Sequence, residues 1–178
     1  MTSTRDATDD TPIVVMGVSG SGKTTIGLAL AARLGVEFLD ADDLHPPENR
    51  AKMASGHPLD DEDRLPWLHA VGRYMRDAAS RGQRVVVACS ALKRRYRDLL
   101  RTYVPDAPFV YLQGTPALLE ARLEGRTNHF MPRSLLASQL ADLEPLDVDE
   151  PGVTVDVDVD VARIVDEVVE ALTSSRGR

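Results

Sequence analysis

The sequence predicts an α/β domain, a three-layer sandwich in which a five-stranded parallel sheet is covered by helices on both faces. Three observations predict it: short apolar runs rich in β-branched residues, helical patterns between successive runs, and a glycine-rich turn joining the first run to the first helix. The run Ile13-Val14-Val15-Met16 is continuously apolar, as a parallel strand buried on both faces requires. From Lys23 the period changes, with Ile26, Leu30 and Leu34 on one face and Gly35 placed as a stop. Further strands are expected at Val36 to Leu39, Arg84 to Ala88, Phe109 to Leu112 and Val153 to Val157. Helical patterns fall between and after them, over Leu65 to Met75, Leu92 to Tyr103, Leu118 to Leu123, Leu135 to Leu143 and Val161 to Leu172. The alternating tract from Val153 to Val161 reads as a half-buried strand running into a capped helix, the competing reading being an acidic metal-binding tract.

With 178 residues, 43% of them apolar, the chain has material for one core and one domain, expected over 13–175. Residues 1–12 are polar and read as a disordered lead-in. A formal net charge of −7 excludes a general nucleic-acid or membrane-surface binder, since both polyanions would be repelled. Any bound anion must meet a local concentration of Arg and Lys. The single cysteine, Cys89, has no intramolecular partner and reads as a small buried hydrophobe in a reducing compartment. Without a signal-peptide pattern or a long apolar span, the expected location is cytoplasmic.

The strongest chemical signal is Gly17-Val18-Ser19-Gly20-Ser21-Gly22-Lys23-Thr24, which fits G-x-x-x-x-G-K-[ST]. It follows a strand and opens a helix, so that backbone N–H groups and the positive end of the helix dipole converge on phosphate oxygens. On this reading Gly17 to Thr25 cradle the phosphates of ATP, Lys23 bridges the β- and γ-phosphates, and the Thr24 hydroxyl ligates Mg²⁺. The blander reading is a glycine-rich turn carrying an exposed lysine.

A second signal, Leu39-Asp40-Ala41-Asp42-Asp43-Leu44-His45, follows the second strand, at the sheet edge where open α/β sheets bind ligands. If the chain stays extended, Asp40 and Asp42 share a face and Asp43 turns away. Asp40 is then assigned to Mg²⁺ through a water, and Asp42 to the proton of an attacking hydroxyl. The competing reading is a helix cap, which suits Asp43. Asp60, Asp61, Glu62 and Asp63 read as the acidic first turn of a helix with Pro66 near its start. Trp67 opens an apolar stripe with Leu68 and Val71 and reads as core. Arg94, Arg95, Arg97 and Arg101 have helical spacing suited to solvent and ion-pair roles.

Several blocks carry a resemblance: LDADDLHP (Leu39 to Pro46), N-x-x-KMASGHPLDDEDRLPWL (Asn49 to Leu68), CSALKRRYRDLLR (Cys89 to Arg101), RLEGRTNHFMP (Arg122 to Pro132) and SQLADLEPL (Ser138 to Leu146). Together with the P-loop they resemble the gluconokinase family, small P-loop kinases grouped with shikimate and nucleoside monophosphate kinases. Asn128 departs from the glycine that usually precedes His-Phe there. The resemblance implies a P-loop kinase with an acceptor-binding insertion at about 42–82 and a lid at about 124–133. It further implies ATP-dependent phosphorylation of D-gluconate to 6-phosphogluconate, with ATP and Mg²⁺ as cofactors and a homodimer as the working unit. By the same resemblance Lys52 and Arg64 grip the acceptor, with His45 in the same insertion. Ser90 and Lys93 fall just past the third strand, on the ligand edge of the sheet, where a hydroxyl and an ammonium can meet Mg²⁺-bound water or the acceptor, and His129 reads either as an acceptor ligand or as a structural histidine beside Phe130. Arg122 holds nucleotide, and Arg126 acts at the transition state like an arginine finger supplied in cis. Two other classes stay open, a hydrolytic P-loop switch and a noncatalytic nucleotide-binding module. Within the kinases, a shikimate-like or nucleotide kinase is the alternative.

Overall fold

The structure, a computed structural model, describes residues 10–125 and 133–175. Most of the expected lead-in (residues 1–9) and residues 126–132 of the expected lid lie outside the described residues. Five strands, β1 (Ile13–Met16), β2 (Glu37–Asp40), β3 (Val85–Ala88), β4 (Phe109–Gln113) and β5 (Gly152–Asp156), form one sheet. Its order is β2-β3-β1-β4-β5 and every pairing is parallel. Seven helices connect and flank them among the described residues: α1 (Lys23–Leu34), α2 (Pro47–Ala54), α3 (Asp61–Ser80), α4 (Arg94–Tyr103), α5 (Pro116–Glu124), α6 (Arg133–Asp142) and α7 (Val161–Ser174).

The strands alternate between two cores because successive side chains leave opposite faces of the sheet. Val14, Met16, Val87 and Phe109 meet Trp67, Leu68 and Met75 of α3 and Leu100 of α4 on one face. Ile13, Val15, Val86 and Val110 meet Ile26 and Leu30 of α1 and Ile164 and Val168 of α7 on the other. Each fully buried side chain of this kind contributes about 1.5–3 kcal/mol over its exposed state. A third cluster, Val18, Leu92, Leu119, Leu123 and Leu136, packs α5 and α6 beneath the turn after β1. The tract after Pro151 is the strand and capped helix expected, with the Asp160 carboxylate accepting from the Arg163 N–H at the start of α7.

Three local departures concern the insertion between β2 and β3. Residues Ala41–Leu44 form a single 3-10 turn, so the chain does not stay extended past Asp40. Helix α2 has no counterpart in the hydrophobic pattern. Its sequence PENRAKMA is polar, and of its residues only Asn49 is buried; Pro47 at the first turn marks its start. Helix α3 begins at Asp61, fixed by a reciprocal capping box between Asp60 and Asp63, which places Pro66 inside the helix and not near its start. Pro66 lacks the N–H that would bond the Glu62 carbonyl, and Glu62 lies on the exposed side of the helix.

Candidate active site

The P-loop joins β1 to α1 through glycines at φ +81° (Gly20) and +94° (Gly22), a left-handed backbone that disfavours other residues. A Cβ on Gly20 would lie 3.1 Å from the Leu119 carbonyl oxygen, so the loop is also held close to α5. Helix α1 has no side-chain cap and no acidic residue in its first turn, which leaves the positive end of its dipole uncompensated for an anion. Inside the loop, the Ser21 hydroxyl is buried with no hydrogen-bond partner among the described residues. Lys23 Nζ donates to the Val18 carbonyl at 3.0 Å, folding back over the turn. The glycine cradle, orphaned hydroxyl, lysine and exposed dipole together fit a polyphosphate.

Asp40 is fastened at both oxygens. Its Oδ1 accepts from the Asp42 N–H at 3.0 Å, capping the 3-10 turn, and its Oδ2 accepts from Thr24 Oγ1 at 3.2 Å. The capping role expected of Asp43 therefore belongs to Asp40. Two hard oxygen ligands, Thr24 and Asp40, meet beside Lys23, the donor set that suits a magnesium-sized cation directly or through water. Asp42 reaches the same cleft by a turn and not by an extended strand. Its carboxyl is held above the ordinary carboxylate range, first by the enclosing cleft walls, with Asp40 and Asp43 adding and Lys23 and Arg50 opposing. The group nevertheless faces open cleft, with 65% of its side chain exposed.

This cleft lies between the P-loop, the insertion and α6. Its acceptor wall includes His45, Met53, Leu59, Arg64, Trp67 and Ser90. Arg64, 7% exposed, donates from Nη1 to the Tyr96 hydroxyl and to Asp142 Oδ2, both at 3.0 Å. His45 is buried and stacked on Trp67, which belongs to the core and lines the cleft at once. Burial, with Arg50 and Arg64 nearby, lowers the His45 pKa to about 4, so the ring is neutral at pH 7. Ser90 is presented by a turn in which Ala91 adopts φ +43°, unusual for a residue with a Cβ. That turn is braced by Arg97, whose Nη1 donates to the Ala91 carbonyl at 3.1 Å. Far from being a solvent-facing arginine, Arg97 is fully buried and paired with Glu150 at 2.7 Å. Cys89 is buried, and the desolvated thiol is pushed up to about 12, as an inert core residue should be.

Two expected acceptor ligands are placed differently. Lys52 Nζ lies 2.6 Å from Asp63 Oδ2 and 3.7 Å from Asp60 Oδ2, bound to the capping box of α3 and not among the residues lining the cleft. Lys93 pairs with Asp61 at 3.3 Å and Asp142 at 3.5 Å, also outside the lining. Arg122 projects from α5 to donate to the Val157 carbonyl at 2.6 Å, over a second depression with Ser21, Gly22, Thr25 and Val159. Arg126 and His129 lie outside the described residues.

A shikimate kinase family model matches residues 19–150. The gluconokinase of Gluconobacter oxydans is 49% identical, over 80% of this chain and 80% of that protein. The thermosensitive gluconokinase of Escherichia coli K12 is 42% identical, over 92% of this chain and 88% of that protein. The crystal structure of a gluconokinase from Sinorhizobium meliloti superposes with a TM-score of 0.84 at 49% identity, covering 93% of each chain. The chain belongs to the gluconokinase family. It is an ATP-dependent small-molecule kinase with the P-loop kinase fold that the resemblance implied.

Family membership does not reveal how α6 completes this site. Leu135, Ser138 and Gln139 line the cleft, and Gln139 Oε1 accepts the Ser19 N–H of the P-loop at 2.7 Å. Asp142, one turn further, supplies the carboxylate on Arg64. Nothing in the sequence alone marks these residues as functional, although Ser138 to Leu146 is one of the blocks that carry the resemblance. The signal available was an uncharged amide at a helical spacing from an aspartate, which reads equally well as a solvated face.

Proposed function

We propose that this protein transfers the γ-phosphoryl group of ATP to a hydroxyl of D-gluconate, giving 6-phosphogluconate. The observation that carries the proposal is the convergence in one cleft of a phosphate cradle, a cleft-facing carboxylate at Asp42, and a buried arginine at Arg64. A phosphoryl acceptor that is a polyhydroxy acid needs all three: donors for the phosphates, an acceptor for the hydroxyl proton, and a cation for the carboxylate.

In this reading the P-loop N–H groups and Lys23 hold the phosphates, and the positive end of α1 faces the charge that develops on the transferring group. Asp42 lies across the cleft and takes the acceptor proton, late in a loose transition state. Its upward-shifted pKa brings its basicity closer to working pH than an ordinary carboxylate. Thr24 and Asp40 would hold Mg²⁺, which when bound would offset phosphate charge. Arg122 borders the nucleotide side, and Arg126 with His129 belong to the segment expected to close over both substrates. Arg64 is the acceptor carboxylate's partner. We further propose a homodimer in the cytoplasm, on family resemblance; no helix among the described residues is long and apolar enough to cross a membrane.

The shikimate kinase model gives a second acceptor to test. ATP turnover coupled to ADP release, with gluconate, shikimate, AMP and pantothenate in parallel, decides between them. Acceptor-dependent turnover with gluconate alone is expected; equal turnover without any acceptor would sink the kinase assignment in favour of a hydrolytic switch.

A further inference from the structure

One nitrogen atom bears on which ring nitrogen of His45 carries its proton. Asn49 is 5% exposed, on the buried side of α2. Its side-chain nitrogen lies 2.8 Å from the Asp63 carbonyl oxygen and 3.3 Å from His45 Nδ1. A carbonyl oxygen can only accept, so the Asn49 atom facing Asp63 is the NH₂ group, whichever way the amide might otherwise be turned. The same nitrogen faces His45. With one amide proton on the Asp63 carbonyl, the second is directed to Nδ1, which must accept it. A neutral imidazole with an accepting Nδ1 carries its proton on Nε2.

The geometry of the ring makes that proton useful. His45 lines the cleft, and its Nε2 is 3.7 Å from Asp42 Oδ1. The ring cannot swing away, because it stacks on Trp67 with centroids 4.1 Å apart and planes at 15°. Trp67 is itself pinned by Nε1 donating to the Ala41 carbonyl at 2.7 Å. We infer that Asn49 is a positioning residue that locks His45 as the Nε2–H tautomer. His45 thereby presents a donor beside the Asp42 acceptor, a pair of opposite hydrogen-bonding sense matched to two neighbouring hydroxyls of a polyol chain. One hydroxyl donates to Asp42 and is phosphorylated; its neighbour accepts from His45. The polyol part rests on the acceptor reading proposed above, whereas the tautomer does not.

The test uses the full chain with ¹⁵N-labelled histidine. Long-range ¹H–¹⁵N correlations report the tautomer of each of the four histidines, and His45→Gln identifies the His45 signals. The expected result is an Nε2–H pattern for wild-type His45 at neutral pH. In Asn49→Asp, where a carboxylate that accepts faces Nδ1, the pattern moves to Nδ1–H or to the cation. Asn49→Leu raises the KM for gluconate about tenfold, the worth of one hydrogen bond, with KM for ATP unchanged. An Nδ1–H pattern in the wild type overturns the inference and needs no variant to fold. A wild-type Nε2–H pattern that persists in Asn49→Asp overturns the role of Asn49. An Nε2–H pattern in a protein that phosphorylates no polyhydroxy acid upholds the tautomer lock and sinks only the acceptor reading.

Discussion

The two halves of the cleft are built from different materials. The phosphate half is mostly backbone: glycines with left-handed φ, N–H groups at a helix start, and one lysine folded over its own loop. The acceptor half is mostly side chain, and the cations in and around it are already paired with carboxylates. Arg64 lies against Asp142 and Tyr96, Lys93 against Asp61 and Asp142, and Lys52 against Asp63 and Asp60. The backbone cradle has its shape before a ligand arrives, and gives up neutral partners, the Gln139 amide on the Ser19 N–H and the Val18 carbonyl on Lys23. A side-chain network must exchange an internal carboxylate for that of the ligand, so which cations face the cleft depends on the fold around them.

The largest expected effect is on the acceptor half. Asp42→Asn keeps the shape and removes the base, and should lower kcat by ~10²–10⁴ with ATP binding intact. Because the Asp42 pKa is raised, the ionised base is lost on acidification at a pH above the ordinary carboxylate value of 3.8. The acid limb of the wild-type rate profile should accordingly lie above that value and vanish in the variant. Asp40→Asn should instead weaken the response to Mg²⁺. If excess Mg²⁺ restores Asp42→Asn and not Asp40→Asn, the two carboxylates have each other's roles.

On the phosphate half, Lys23→Ala removes a charge-assisted contact at developing charge and should lower kcat/KM by at least ~10²-fold. Near-normal turnover would show that the backbone alone binds the phosphates, making the two halves of the cleft differ still more.

Glu150 tests whether the side-chain half depends on buried support. Burial alone would raise its pKa, but donors from Arg97, the Asp147 N–H and Arg101 overcome this and hold it at about 2 against an ordinary 4.5. A folded pKa depressed below the unfolded one contributes stability that is full above pH 4.5 and lost as pH falls toward 2. Glu150→Gln leaves Arg97 buried without its counter-charge, which should cost about 3 kcal/mol or more in urea unfolding and remove that acid dependence. A loss below about 1 kcal/mol would mean that the backbone carbonyls around Arg97 suffice to hold it.

The same contrast explains what could be read from the chain. The five strands and the P-loop follow from local pattern, since apolar runs and a glycine spacing specify backbone directly. Helix α2 could not be read, because its buried residue is an asparagine in a polar stretch. The proton-bearing atom of His45 could not be read either, because it is set by Asn49 and the Asp63 carbonyl across a helix–helix contact. The spacing of Asp40 and Asp42 puts them on one face only in an extended chain, yet a capped 3-10 turn brings both to the cleft. Gln139 and Asp142 reach the site from α6, far along the chain, and ordinary polar residues on a helix carry no mark of what they will meet.

The smallest expected effect separates two cations of the insertion that the sequence treats alike. Arg64 is nearly buried and lines the cleft, so its guanidinium can exchange Asp142 for the acceptor carboxylate. Lys52, with 36% of its side chain exposed, instead holds the reciprocal cap at the start of α3. Replacing Arg64 by Lys loses the planar fork and should raise the KM for gluconate by about 10- to 100-fold. Lys52→Ala should change that KM by less than about threefold, because an exposed ion pair contributes little and the capping box remains without it. The measurement is KM for gluconate and for ATP in both variants under saturation of the other substrate. A Lys52→Ala effect as large as that of Arg64→Lys, confined to gluconate, would mean that Lys52 leaves Asp63 and turns into the cleft when the acceptor binds. The acceptor half would then be assembled by its ligand, in contrast to the phosphate half.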